Sequence, residues 1–272
     1  MKIGVRAHDF GRQKAADLAR SIKEAGFDCV QLALTKGIEG INDFGDITPK
    51  HLEDVQSAFD ANNLEITVLG CYIEPSLSDK TARLENVTIF QNCLRYAKTI
   101  GAGIVGTETT GLPTDASKEQ REAAYALLKD SVLRMAEVAE KEGVTVGIEP
   151  VAEHTLNTPE IARRLLDEVN SNYVKIIFDP LNLVLPSTIN RQKDIYKSAI
   201  DLLGEKVVAM HIKDAVIEAG QKVWRNIGEG EVAHDIIFNW LCRKKPQMRL
   251  LREEVHMDSY ARDIESMKKL FI

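Results

Sequence analysis

The sequence predicts a single-domain α/β protein over residues 1–272, a closed (β/α)8 TIM barrel. Three observations lead there. Eight short apolar runs alternate with eight helical stretches, and no linker, low-complexity tract or shift in composition divides them. The apolar runs are close to continuous, as in strands covered on both faces. An open dinucleotide-binding sheet would carry Gly-x-Gly-x-x-Gly after an early strand. Here Gly101-Ala102-Gly103 precedes its strand and reads as a helix stop. The 272 residues, 44% hydrophobic and 28% charged, are ample for a full core.

Taken in order, Lys2 to Arg6 is the first predicted strand. Helical spacing from Gln13 to Ala25 offers Ala16, Leu18, Ala19 and Ile22 for an inner face, and Gly26 ends it. Cys29 to Ala33 is the second strand, and Leu34 to Ile47 is expected to be a long loop. Thr48-Pro49 opens a helix to Asn62, with a cap residue followed by proline in the first turn. The third and fourth strands are Glu65 to Gly70 and Ile104 to Thr107, separated by a helix from Thr81 to Ile100. A long helix, Lys118 to Glu142, stops at Gly143. The fifth strand ends at Glu149 and the sixth at Asp179, with a helix from Glu160 to Val169 between them. Arg191 to Leu203 is the next helix. The seventh strand, from Val207, runs into His211-Ile212-Lys213-Asp214. A loop from Ala215 to Gly230, a helix from Ala233 to Leu241, an eighth strand ending at Glu253 and a helix from Asp258 to Leu270 complete the count.

Charge and cysteine usage narrow the function. The net charge of −6 argues against a nucleic-acid-binding face. Cys29, Cys71, Cys93 and Cys242 are scattered with no Cys-x-x-Cys pair, which fits free thiols in a reducing compartment. The chain opens on a strand-like segment with no apolar signal core, and no apolar run is long enough to span a membrane, so a cytoplasmic location is expected.

In a parallel barrel every strand's C-terminal end lies on one rim, where active sites form. Glu149, Asp179, His211 and Glu253 stand at four successive strand ends. Carboxylates crowded there repel one another, and a divalent cation removes the conflict. Three oxygens and one nitrogen suit Mn²⁺ or Mg²⁺ best, with Co²⁺ or Zn²⁺ also compatible. Alone, each residue is more readily a helix cap or a structural histidine; four on consecutive strands carry the inference. Glu254 competes with Glu253, since alternation along a strand sends the two to opposite sides. His154, Asn182, Lys213, Arg225, Tyr72 and Glu108 are candidate substrate contacts, and Arg6, His8 and Gln31 share their rim. Trp224, Arg225 and Gly228-Glu229-Gly230 are candidates for a covering loop. His51 and His234 are expected on the surface. His256 is a candidate for a peripheral place on the rim.

The segments Gly147-Ile148-Glu149-Pro150, Ile177-Phe178-Asp179-Pro180-Leu181-Asn182, Met210-His211-Ile212-Lys213-Asp214 and Arg252-Glu253-Glu254, in that order and spacing, resemble the xylose isomerase-like sugar phosphate isomerase/epimerase superfamily. The resemblance covers nearly the whole chain. It implies one metal ion held by Glu149, Asp179, His211 and Glu253, with Glu149 and Glu253 as an acid/base pair. It also implies a small-molecule carbohydrate substrate, free or phosphorylated, and it is compatible with a homo-oligomer. The chain departs from the ketose 3-epimerase pattern in two places. Asn182 stands where those enzymes carry a histidine, and Ile217 where they carry an arginine, leaving Lys213 or Arg225 to replace that cation. The expected chemistry is proton abstraction through an enediolate, giving isomerisation or epimerisation. An inosose-type dehydratase is the alternative. An endonuclease IV-like repair enzyme is disfavoured by the acidic balance, and a non-catalytic sugar-binding barrel would need no metal.

Overall fold

The computed structural model describes residues 1–255 and 258–271; His256 lies outside the described residues. In chain order the elements are β1 (Lys2–Arg6), α1 (Ala15–Glu24), β2 (Cys29–Leu32), α2 (Leu34–Gly37), α3 (Pro49–Ala61), β3 (Glu65–Gly70), α4 (Lys80–Thr99), β4 (Ile104–Thr107), α5 (Lys118–Glu142), β5 (Thr145–Ile148) and α6 (Pro159–Val169). They continue with β6 (Val174–Phe178), α7 (Gln192–Leu203), β7 (Val207–Ile212), β8 (Asp214–Glu218), β9 (Gln221–Arg225), α8 (His234–Lys244), β10 (Arg249–Arg252) and α9 (Tyr260–Leu270). Eight parallel strands close into a barrel in the order β1-β10-β7-β6-β5-β4-β3-β2, while β8 and β9 form a separate antiparallel hairpin. The predicted barrel is the observed one. Among the described residues no helix is long and apolar enough to cross a membrane.

The local signals act as expected. Thr48 Oγ1 accepts from the His51 amide at 3.2 Å, with Pro49 opening the helix, and Thr158 caps α6 in the same way. Gly143 takes the left-handed conformation, φ 70°, that ends α5. Three expectations are corrected. In α1 the helix begins at Ala15, not Gln13, and its buried face uses Ala15, Leu18, Ala19 and Ile22, while Ala16 is exposed. The segment 34–47 holds the short α2 and a 3-10 turn, Phe44–Asp46, nucleated where Asp43 accepts from the Gly45 amide at 2.7 Å. The segment 215–230 is largely the β8–β9 hairpin. Its turn places Ala219 and Gly220 at φ 48° and 77°, and a turn with positive φ at both central residues suits paired strands. Alanine is an uncommon occupant, so the sequence carried little sign of it.

The barrel interior explains the rim. Cys29, Val68, Ile104, Ile177, Ala209 and Leu251 pack together as one inner layer. Gly4, Gly106 and Gly147 also face inward. A β-carbon at Gly147 would come 2.8 Å from Ile104 and 2.9 Å from Ile177, and one at Gly106 would come 2.7 Å from Ile177. The glycines leave room for the isoleucines. Side chains repeat every second residue on one face of a strand. Two positions past Gly4, Cys29, Gly106, Gly147, Ile177, Ala209 and Leu251 stand Arg6, Gln31, Glu108, Glu149, Asp179, His211 and Glu253. The packed layer therefore aims these polar residues at one centre above it.

Overpacking a filled layer costs about 1–3 kcal/mol. Gly147→Ala should therefore lower unfolding stability by about that much in urea titration. An unchanged midpoint would show that the layer has slack.

Candidate active site

Glu149, Asp179, His211 and Glu253 converge above the inner layer and are nearly inaccessible, Asp179 completely so. One ligand atom from each of Glu149, Asp179 and His211 lies within 4.8 Å of the others. The His211 Nδ1 is 3.0 Å from Glu149 Oε2 and 3.4 Å from Glu253 Oε1. Glu253, not Glu254, faces the centre, as its place two residues past Leu251 requires. Glu254 takes φ 56° and pairs with Arg6 at 3.0 Å.

The other imidazole nitrogen is fixed from the far side. His211 Nε2 is 2.8 Å from Gln31 Oε1, and Gln31 Nε2 donates to Tyr72 Oη at 3.0 Å. Since the Gln31 carbonyl can only accept, the proton sits on Nε2. In the neutral ring the Nδ1 lone pair then points at the carboxylates. Nδ1 makes no aligned hydrogen bond. Asp179 Oδ2 makes none either, despite the Lys213 ammonium at 2.8 Å. Asp179 Oδ2, His211 Nδ1 and the two glutamates thus face one centre as a donor set that a divalent cation would complete.

Charges around the cluster are arranged in opposition. Lys213 bridges Asp179 and Glu253, at 2.8 and 3.1 Å, rather than pairing with its neighbour Asp214. Arg6 stands 3.8 Å from Glu253. Burial would push the Glu253 carboxyl up, but His211, Lys213 and Arg6 outweigh it and hold it well below the usual carboxylate range. Burial disfavours a charged His211, yet Glu253, Glu149 and Asp179 raise it to about 9. Glu108 is pushed up by burial and by Glu149.

The remaining candidates divide. Asn182 donates to Glu149 Oε1 at 2.6 Å, and its amide binds Asp179 Oδ1 at 3.0 Å. Thus it orients the cluster. Tyr72, Glu108 and His154 line a cavity of about 270 Å³ beside it, with His154 3.7 Å from Glu108. Arg225 stands apart: its guanidinium engages Glu218 at 2.5 Å and the Trp224 carbonyl at 2.9 Å. His234 is not a surface residue. It is buried, 3.3 Å from the Asp214 carboxylate. Gln31 and Arg6 were visible on the rim in the sequence, but their service to His211 and Glu253 was not. The spacing of two residues from Cys29 and Gly4 is the signal that identifies them.

A family model described as xylose isomerase-like TIM barrel matches residues 19–270. No curated protein sequence matches the chain. Among solved structures, 3-keto-D-glucoside 4-epimerase YcjR from E. coli superposes with a TM-score of 0.78 at 21% identity, covering 99% of both chains. The probable 3-DHS dehydratase AsbF from Bacillus anthracis gives 0.75 at 18% identity, covering 100% of this chain and 99% of its own. The IOLI protein with a bound zinc atom gives 0.74 at 19%, covering 99% and 96%. With the family model spanning nearly all of a closed barrel, the chain belongs to the xylose isomerase-like TIM barrel family.

Proposed function

We propose that the protein is a divalent-metal-dependent isomerase or epimerase of a small keto sugar or related polyol. The observation that carries this is the buried cluster in which Glu149 and Glu253 both flank His211 Nδ1, with Asp179 closing the set. Glu149, Asp179, His211 and Glu253 would hold the ion, Mn²⁺ or Mg²⁺ by their oxygen-rich chemistry. When bound, such an ion polarises a carbonyl and acidifies the adjacent carbon. The epimerase and zinc-bound neighbours support the same reading, as does the family.

The chain's own residues supply the proton transfers. Glu253, beside Lys213 and Arg6, and Glu149, held by the Asn182 side-chain amide, are the acid/base pair: one takes the carbon proton as a carboxylate, and the other, carrying a proton taken from solvent, delivers it. Return to the opposite face epimerises, and return to the neighbouring carbon isomerises. Lys213, buried beside both Asp179 and Glu253, offsets the negative charge that develops on the substrate. Dehydration is a second reading, favoured by one feature: Glu108, pushed toward its protonated form, is an acid for a departing hydroxyl. AsbF is a dehydratase by name.

In D₂O with Mn²⁺, a screen of keto sugars, inososes and hydroxypyruvate should reveal deuterium uptake at carbon. Glu149→Gln and Glu253→Gln, loaded with metal, should each lose about 10²–10⁴-fold in rate. Near-normal turnover in both metal-loaded variants would remove the acid/base roles.

Metal binding should follow the proton on His211. The neutral ring is the ligand, and the metal-free ring keeps its proton up to about 9. Apparent affinity should therefore tighten by about tenfold per unit between about pH 6 and 8 and level off above about pH 9. Competition with a chelator at several pH values measures this, and a flat profile would contradict it.

A further inference from the structure

Above the same rim lies a second and larger space. The β8–β9 hairpin and the loops after β4, β5 and β6 border an open groove of about 720 Å³. Thr114, Glu153, Ser187, Lys222 and Trp224 line it. Trp224 joins it to the cluster, because Lys213 Nζ stands 5.5 Å from the indole ring and also contacts Asp179 and Glu253. On the other side Glu153 is followed by His154, which lines the cavity beside Glu108. The two spaces flank one short loop.

The chemistry of this wall fits an uncharged sugar ring. An indole face takes the apolar C–H face of a sugar, and dispersed hydroxyl, amine and carboxylate groups take its hydroxyls. Lys222 is already engaged within the wall, its ammonium donating to the Leu181 carbonyl at 2.8 Å. One place where barrels of this kind often bind phosphate, the loop after the seventh strand, is already filled. There the amides of Gly228, Gly230 and Val232 donate to the buried Asp214 carboxylate at 2.9, 3.1 and 3.2 Å. A cluster of amides that would cradle a phosphate holds the protein's own anion instead.

We propose that the groove against Trp224 is a second subsite, which binds the neutral second ring of a glycoside whose keto-sugar ring lies at the metal cluster. The substrate class is then an uncharged keto-glycoside and not a sugar phosphate. This rests on the sugar isomerase reading above and narrows it.

Calorimetric titration of the Mn²⁺-loaded protein with D-fructose, fructose 6-phosphate and the keto-disaccharides lactulose and isomaltulose tests it. At least one disaccharide should bind about tenfold or more tighter than fructose, the effect of one well-packed additional contact surface. Fructose 6-phosphate should bind no tighter than fructose. Trp224→Ala, which removes the indole, should bring the disaccharide-to-fructose ratio to near one. Ser187→Trp, which fills the groove from the exposed opposite wall, should do the same if the first variant fails to fold. A ratio near one in the unaltered protein, a ratio that survives in both variants, or tightest binding of the phosphate would overturn the proposal. Deuterium uptake separates it from the reading beneath it. Preference for a disaccharide without exchange on any sugar keeps the subsite and sinks the isomerase. Exchange on fructose without preference does the reverse.

Discussion

The two-residue repeat of a strand inside a closed barrel is the constraint on which this structure depends. Once Ile177, Ala209 and Leu251 are packed in the inner layer, Asp179, His211 and Glu253 have no other direction to face. Glycines at 106 and 147 leave room for Ile104 and Ile177, and Gly4 for Cys29, so that these side chains fill the layer and set the polar floor above. Site geometry is thus a consequence of apolar packing below it. A one-residue slip in β10 would present Glu254 to the centre and strip Glu253 from it.

Burial of like charges is the second constraint. Three carboxylates in an inaccessible pocket repel one another, and each loses hydration. The chain answers with Lys213 between Asp179 and Glu253, with Arg6 against Glu253 and Glu254, and with an imidazole whose far nitrogen is tied to Gln31. These partners neutralise part of the charge and leave Asp179 Oδ2 and His211 Nδ1 without aligned hydrogen bonds. The same arrangement keeps Glu253 ionised and aims His211 Nδ1 inward, where the ring, once it gives up its proton, offers a lone pair to a metal.

Much of this was legible in the chain. Apolar runs ending in Glu149, Asp179, His211 and Glu253 announced both barrel and cluster, because a buried parallel strand tolerates polar residues only at its tip. Helix ends were marked by Thr48-Pro49, Thr158-Pro159 and Gly143, whose backbone roles are local. What stayed hidden depends on contacts between distant segments. The Gln31–His211 contact spans 180 positions, and no periodicity signals it. His234 looked like a helix-start surface residue, yet the Asp214 carboxylate draws it inward. Arg225 was a plausible cation on the rim until the hairpin gave it Glu218 as a partner. That hairpin was itself obscured by an alanine at positive φ.

The central claim is that four strand-end residues form one divalent-metal site. Anomalous diffraction at the manganese edge from crystals grown with Mn²⁺ tests it most directly. The account predicts a single strong peak at about 2.0–2.3 Å from carboxylate oxygens of Glu149, Asp179 and Glu253 and from Nδ1 of His211, with Nε2 still on Gln31. A peak held by other residues, or no peak in a protein that still catalyses exchange on keto sugars, would contradict it.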